Sequence, residues 1–121
     1  MKMKNENLTE LITNHWFDQF QSGLSARFSA NRMDYKYRYE KTDSNNSVVV
    51  DLKKNGIDTR IELIDNGILI FDYSSENKNY SERFKNCTED DFHTMLAHAF
   101  IYLRDGTFDY HKDWIEKLQR I

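Results

Sequence analysis

The chain has no proline, four glycines and one cysteine. With so few breakers, turns must be marked by Asn, Asp and those glycines. A lone cysteine, Cys87, excludes an internal disulfide framework and any cysteine-rich zinc site. No apolar run approaches the roughly 20 residues of a membrane span, so no membrane association is expected. The N-terminus reads Met1-Lys2-Met3-Lys4 and then turns polar, so no secretory signal is expected and the chain reads as cytoplasmic. Large net charge is missing as well. Lys and Arg number 17 against 20 Asp and Glu, a formal charge of −3, which gives no electrostatic reason to expect a nucleic-acid partner.

What is present is a chain of 121 residues, enough for one domain, 1–121, with one core. An aromatic content of 14% argues against intrinsic disorder, because such residues bury well. Asn7, with Glu10 three residues on, has the pattern of a capped helix start. Leu8, Leu11, Ile12, His15, Trp16 and Phe20 follow at helical spacing, and Gly23 is a plausible stop. From Asp34 the period changes to two: Tyr35, Tyr37 and Tyr39 alternate with Lys36, Arg38 and Glu40. Val48, Val50 and Leu52 continue the alternation. Asn55-Gly56 is a strong hairpin signal, and strands at Ile57–Ile64 and Ile68–Tyr73 complete an antiparallel meander.

Cross-strand chemistry sets the expected register. A two-residue loop at Asn55-Gly56 places Val50 against Ile61, Val48 against Leu63 and Asp51 against Arg60, apolar with apolar and charge with counter-charge. A one-residue slip would set Val50 against Arg60. A three-residue loop, Asp65-Asn66-Gly67 with Gly67 left-handed, places Ile61 against Phe71 and Arg60 against Asp72. A four-residue first turn pairs Tyr39 with Val50, Tyr37 with Leu52 and Arg38 with Asp51. The tyrosines then face the core. The opposite face carries a row Arg38–Asp51–Arg60–Asp72 of alternating sign.

Ser74 to Asn86 reads as a long polar loop, or as a short edge strand around Tyr80. Thr88 with Asp91 forms a capping box for a helix whose apolar face is Phe92, Met95, Leu96, Ala99, Phe100 and Leu103, ended by Gly106. Asp109 can cap a last helix with the stripe Trp114, Ile115, Leu118 and Ile121. The expected fold is α+β: an N-terminal helix, a four-stranded antiparallel meander and two C-terminal helices packed on one sheet face.

Chemistry-bearing motifs are scarce. His93 and His98 are five positions apart on one helix and point about 140° apart, so they cannot share a metal. His15 lies on an apolar stripe, and His111 has no second ligand at metal spacing. No GxGxxG, GxxxxGK or GxSxG occurs. Neither cofactor nor metal is expected, and an enzyme is not the favoured reading. Cys87, just before a helix cap, or His111 would be the residues of a small enzyme. The tyrosines and cations of the first strand are reminiscent of a nucleic-acid stacking platform, but in this register they face opposite ways. Protein binding remains. The outer sheet face combines the charge row with Val49, Glu62, Ile64, Ile68 and Ile70, an apolar patch bordered by charges. The candidate binding residues are Asp51, Glu62, Ile70, Asp72, Glu76 and Tyr80, the last as an aromatic anchor.

This small, acidic, Asn- and Lys-rich chain, with its helix, its meander turning at Asn55-Gly56 and Asn66-Gly67, and its further helices, resembles the immunity proteins of bacterial toxin–immunity systems, including those of contact-dependent growth inhibition. The resemblance covers the whole chain as architecture and includes no diagnostic motif. It implies one tight partner, a cognate toxin domain whose active site is blocked. If that toxin is a nuclease, acidic side chains would suit its basic site. The alternative is a phage- or plasmid-encoded regulator or adaptor that binds a host enzyme or nucleic acid.

Overall fold

The computed structural model describes residues 25–41, 45–106 and 116–121. Among these the order is α1 (Ser25–Ala30), β1 (Asp34–Lys41), β2 (Asn46–Lys54), β3 (Ile57–Ile64), β4 (Leu69–Ser74), β5 (Asn79–Lys85), α2 (Glu89–Asp105) and β6 (Gln119–Arg120). The six strands form one antiparallel sheet in sequence order.

This corrects the expected four-stranded meander with its flanking helices. The sheet has six strands, and among the described residues only α2, with 17 residues, is a helix of more than two turns. The expected helix over 7–23 and the start of the one expected from Asp109 lie outside the described residues. The end of that last stripe is not helical: Gln119 pairs with Lys85 and Arg120 with Phe84. Ile121, assigned to the stripe, is 67% exposed, and its N–H donates to the Arg83 carbonyl at 3.1 Å.

The long loop is replaced by a tight turn and β5. Ser75 N–H donates to the Lys78 carbonyl at 2.8 Å, which closes the turn. Beyond it Tyr80 pairs with Tyr73 and Phe84 with Leu69. The alternation is broken in sequence by Glu82, which stands on the inner side between those two aromatics. Arg120 of β6 meets it there, Nε to Oε2 at 3.1 Å. An edge carboxylate of this kind is satisfied by a partner 38 positions away, which local pattern reading cannot see.

At both central turns the expected register is observed. Val50 faces Ile61, Asp51 faces Arg60 and Lys54 faces Ile57. Asn55 and Gly56 both have positive φ, at 52° and 81°, as a two-residue type I′ turn requires. Ile61 faces Phe71 and Arg60 faces Asp72. Gly67 has φ 91°, and its N–H donates to Ile64 O at 2.9 Å. The β1–β2 register differs by two residues: Tyr39 faces Val48, Tyr37 faces Val50 and Arg38 faces Val49. A slip of two keeps every side chain on its face, so apolar patterning alone does not distinguish the two registers.

The inner face packs on α2. Val50, Leu52, Ile61, Leu63, Leu69 and Phe71 are fully buried against Phe92, Met95, Leu96, Ala99 and Leu103. Each such side chain contributes roughly 1.5–3 kcal/mol relative to exposure. Thr88 caps α2 as expected: its N–H donates to Asp91 Oδ2 at 2.8 Å, and Asp91 N–H returns to Thr88 Oγ1 at 3.3 Å. Gly106 closes the helix in the left-handed conformation. Of the tyrosines expected in the core, Tyr37 is half-buried and Tyr39 is 36% exposed, because β1 is an edge of the sheet. Trp16 and Phe20, expected beside α2, lie outside the described residues.

Candidate recognition face

Pairing places the outward residues in rungs that cross the sheet. One rung is Asp34, Lys53, Asp58 and Ser74. The next is Lys36, Asp51, Arg60, Asp72 and Ser81. The third is Arg38, Val49, Glu62, Ile70 and Arg83. Along the first two rungs the charges alternate in sign, and along β2 and β3 they alternate again, so the charges form a checkerboard. Direct cross-strand neighbours have Cβ atoms about 4.5–5.5 Å apart, close enough for each charge to feel its opposite.

Asp51 is the centre of this pattern. Arg60 Nε donates to its Oδ1 at 2.8 Å and Arg38 Nη1 to its Oδ2 at 2.9 Å. Arg38 also donates to Glu40. Partial burial alone would raise the Asp51 carboxyl, but the hydrogen bonds and charges of Arg60 and Arg38 together outweigh it and hold it below the ordinary value. Asp72 accepts from Ser81 Oγ at 2.5 Å. The first two rungs line a concavity of about 490 Å³, with Asp34, Lys36, Asp51, Lys53, Asp58, Arg60, Asp72 and Ser74 in its wall.

The structure unites four of the six sequence candidates. Asp51 and Asp72 line the concavity, and Glu62 and Ile70 stand opposite each other one rung along, both half-buried. Glu76 lies apart, exposed in the β4–β5 turn. Tyr80 is on the other face: its ring packs on Phe71 at 5.9 Å between centroids, so it cannot anchor a partner here. Lys36, Lys53, Asp58, Asp34 and Arg83 also belong to the face, outside the six candidates. Lys53 and Asp58 lie two positions from Asp51 and Arg60, so the period of two already placed them on the face.

Two further expectations change. Val49 is 1% exposed, so it is not part of an open apolar patch, while Ile64, Ile68 and Ile70 are half-buried. The face is also not acidic as a whole. Within the three rungs Asp34, Asp51, Asp58, Glu62 and Asp72 are matched by Lys36, Arg38, Lys53, Arg60 and Arg83.

Cys87 is buried, and that burial, reinforced by the charge of Asp91, pushes its thiol up to about 12. It is a protonated thiol near neutral pH, which is the wrong state for a nucleophile. His111 lies outside the described residues. Among the described residues no helix is long and apolar enough to cross a membrane. Comparison with protein-family models, with curated proteins and with solved structures returned no match.

Proposed function

We propose that this chain is a protein-recognition domain whose charged sheet face docks a partner protein, and that it acts as an immunity protein neutralising a cognate toxin domain. The observation that carries the reading is the concave checkerboard centred on Asp51. A face with matched charges exerts little pull beyond a Debye length, about 8 Å at physiological salt. Close up it is highly selective, because a partner shifted by one position meets like charges across the interface. That property suits a protein that must hold one partner and ignore the rest of the cell. It also refines the expected electrostatics: recognition rests on the arrangement of charges rather than on a net acidic surface.

The test is to co-express the chain with candidate toxin domains taken from the genes that flank its own, and to score growth with and without the double substitution Glu62→Lys/Asp72→Lys. Wild-type protein should rescue growth and bind the purified domain. The double variant, shown by circular dichroism to be folded, should lose rescue and at least about tenfold in affinity, since charge pairs at an interface are commonly worth more than 1.4 kcal/mol. Failure of the wild type to rescue would overturn the immunity reading. Unchanged affinity in the double variant would remove this face from the interface.

A further inference from the structure

β1 is an edge strand of eight residues, and no described strand pairs with its outer side. A long edge invites pairing with another chain unless charge or geometry prevents it. The charges on β1 decide which partner fits. Asp34, Lys36, Arg38 and Glu40 stand on one face of the strand, and Tyr35, Tyr37 and Tyr39 on the other.

We infer that β1 pairs antiparallel with β1 of a second copy, about a two-fold axis at Tyr39, which joins two six-stranded sheets into one. The register follows from charge together with strand overlap and the exposure of Tyr39. In a two-fold antiparallel pair the positions opposite each other have a fixed sum. An axis at Tyr37 sets Lys36 against Arg38 and Asp34 against Glu40, like against like. An axis at any charged position sets that charge against its own copy. An axis at Tyr35 sets Asp34 against Lys36 with no like pair, but it overlaps only the first three residues of β1 and centres on Tyr35, which already packs on Phe28 at 5.8 Å between ring centroids. An axis at Tyr39 sets Arg38 against Glu40 of the second copy twice and creates no like pair. Arg38 and Glu40 already bond within the strand, so the four side chains form an alternating cluster across the axis. The same register brings Tyr39 against Tyr39 of the second copy. Tyr39 is a large side chain left 36% exposed, and cross-strand aromatic pairs are favourable. A contact made by one edge is small, so the dimer forms reversibly with concentration.

Sedimentation velocity over a concentration series tests this. The wild type should shift from monomer to dimer. Glu40→Arg should weaken dimerisation by about tenfold or more, because it places two arginines opposite each other twice. Arg38→Glu/Glu40→Arg should restore it, since the opposed signs are exchanged but kept. Arg38 also serves Asp51, so that double variant is checked by circular dichroism, and a cross-link gives an independent reading. Opposed residues in a strand pair are within disulfide reach. Tyr39→Cys should therefore yield a covalent dimer under mild oxidation, while Lys53→Cys, exposed but away from the edge, should not. A wild type that stays monomeric throughout the series, or a Tyr39→Cys variant that cross-links no faster than Lys53→Cys, would overturn the inference.

Discussion

Arg38 and Asp51 are bonded diagonally rather than directly: Arg38 stands opposite Val49 and Asp51 opposite Lys36, yet the guanidinium reaches the carboxylate at 2.9 Å. Because Arg60 takes the other carboxylate oxygen, Asp51 holds three strands together at one point. Asp51→Asn removes the charge from both bonds and leaves two half-exposed guanidiniums side by side. A loss of about 1 kcal/mol is expected, at the upper end for surface pairs, since Arg38 and Arg60 are 37% and 48% exposed. Urea titrations at low and high salt should show that loss shrinking as salt rises. A loss independent of salt would assign the effect to packing.

Gly67 has φ 91°, and a Cβ there would sit 3.7 Å from the Cys87 backbone, an ordinary contact. The cost of Gly67→Ala is therefore conformational, about 1 kcal/mol or more. The same turn supports the following segment, as Cys87 N–H donates to Gly67 O at 2.9 Å. Equilibrium unfolding should show the loss, and a variant as stable as wild type would contradict the left-handed assignment.

These two sites mark what the sequence reveals and what it conceals. The Asn55-Gly56 and Asp65-Asn66-Gly67 turns are written locally, and each fixes a register through its own length. The β1–β2 connection has no such constraint. Charge pairing in the sequence favours Arg38 directly opposite Asp51, but the long arginine side chain reaches the same carboxylate across a diagonal. β5 was half-concealed because Glu82 interrupts its apolar series and is answered only by Arg120, far along the chain. Tyr80 was misplaced for the same reason: without the strand, its parity relative to Asp72 was unknown. The face itself was legible, since period two assigns Asp51, Arg60, Glu62 and Asp72 together. Its neutrality was not, because that depends on which strands become neighbours.

Leu96 is 4% exposed on the buried face of α2, whereas Ile101 on the same helix is 38% exposed. Leu96→Ala should cost roughly 2–5 kcal/mol from lost transfer energy and the cavity left behind. Ile101→Ala should fall within about half a kcal/mol of wild type, as surface substitutions do. Urea midpoints for the two variants check the orientation of the helix, and equal losses would contradict it.

Cys87 gives an alkaline signature. Its folded pKa, raised from 9.0 to about 12, means that the unfolded chain releases the thiol proton first. The stability this group confers is complete below pH 9 and declines as pH rises toward the folded value. Cys87→Ala should flatten the alkaline limb of the stability curve. Native protein at neutral pH should also react with thiol reagents far more slowly than urea-unfolded protein. Equal labelling rates would show that the thiol is accessible.

His98 acts on the acid side. Partial burial on α2 lowers its pKa below 6.5, so the unfolded chain binds the proton more readily than the folded one. Its contribution is fully present above pH 6.5 and is lost as pH falls through that value toward the lower folded pKa. The stability that Asp51 confers, its pKa also being lowered, is present above its ordinary value of 3.8 and is lost only as pH falls through that value toward the lower folded pKa. The two groups therefore titrate in separate windows, and only the histidine acts under mildly acidic conditions. Urea midpoints taken from about pH 7.5 to about pH 5.5 should fall for the wild type, the interval in which a histidine changes charge. His98→Asn keeps a polar side chain without the titration and should give a flatter profile over the same interval. A profile with an undiminished slope would place the titrating group elsewhere.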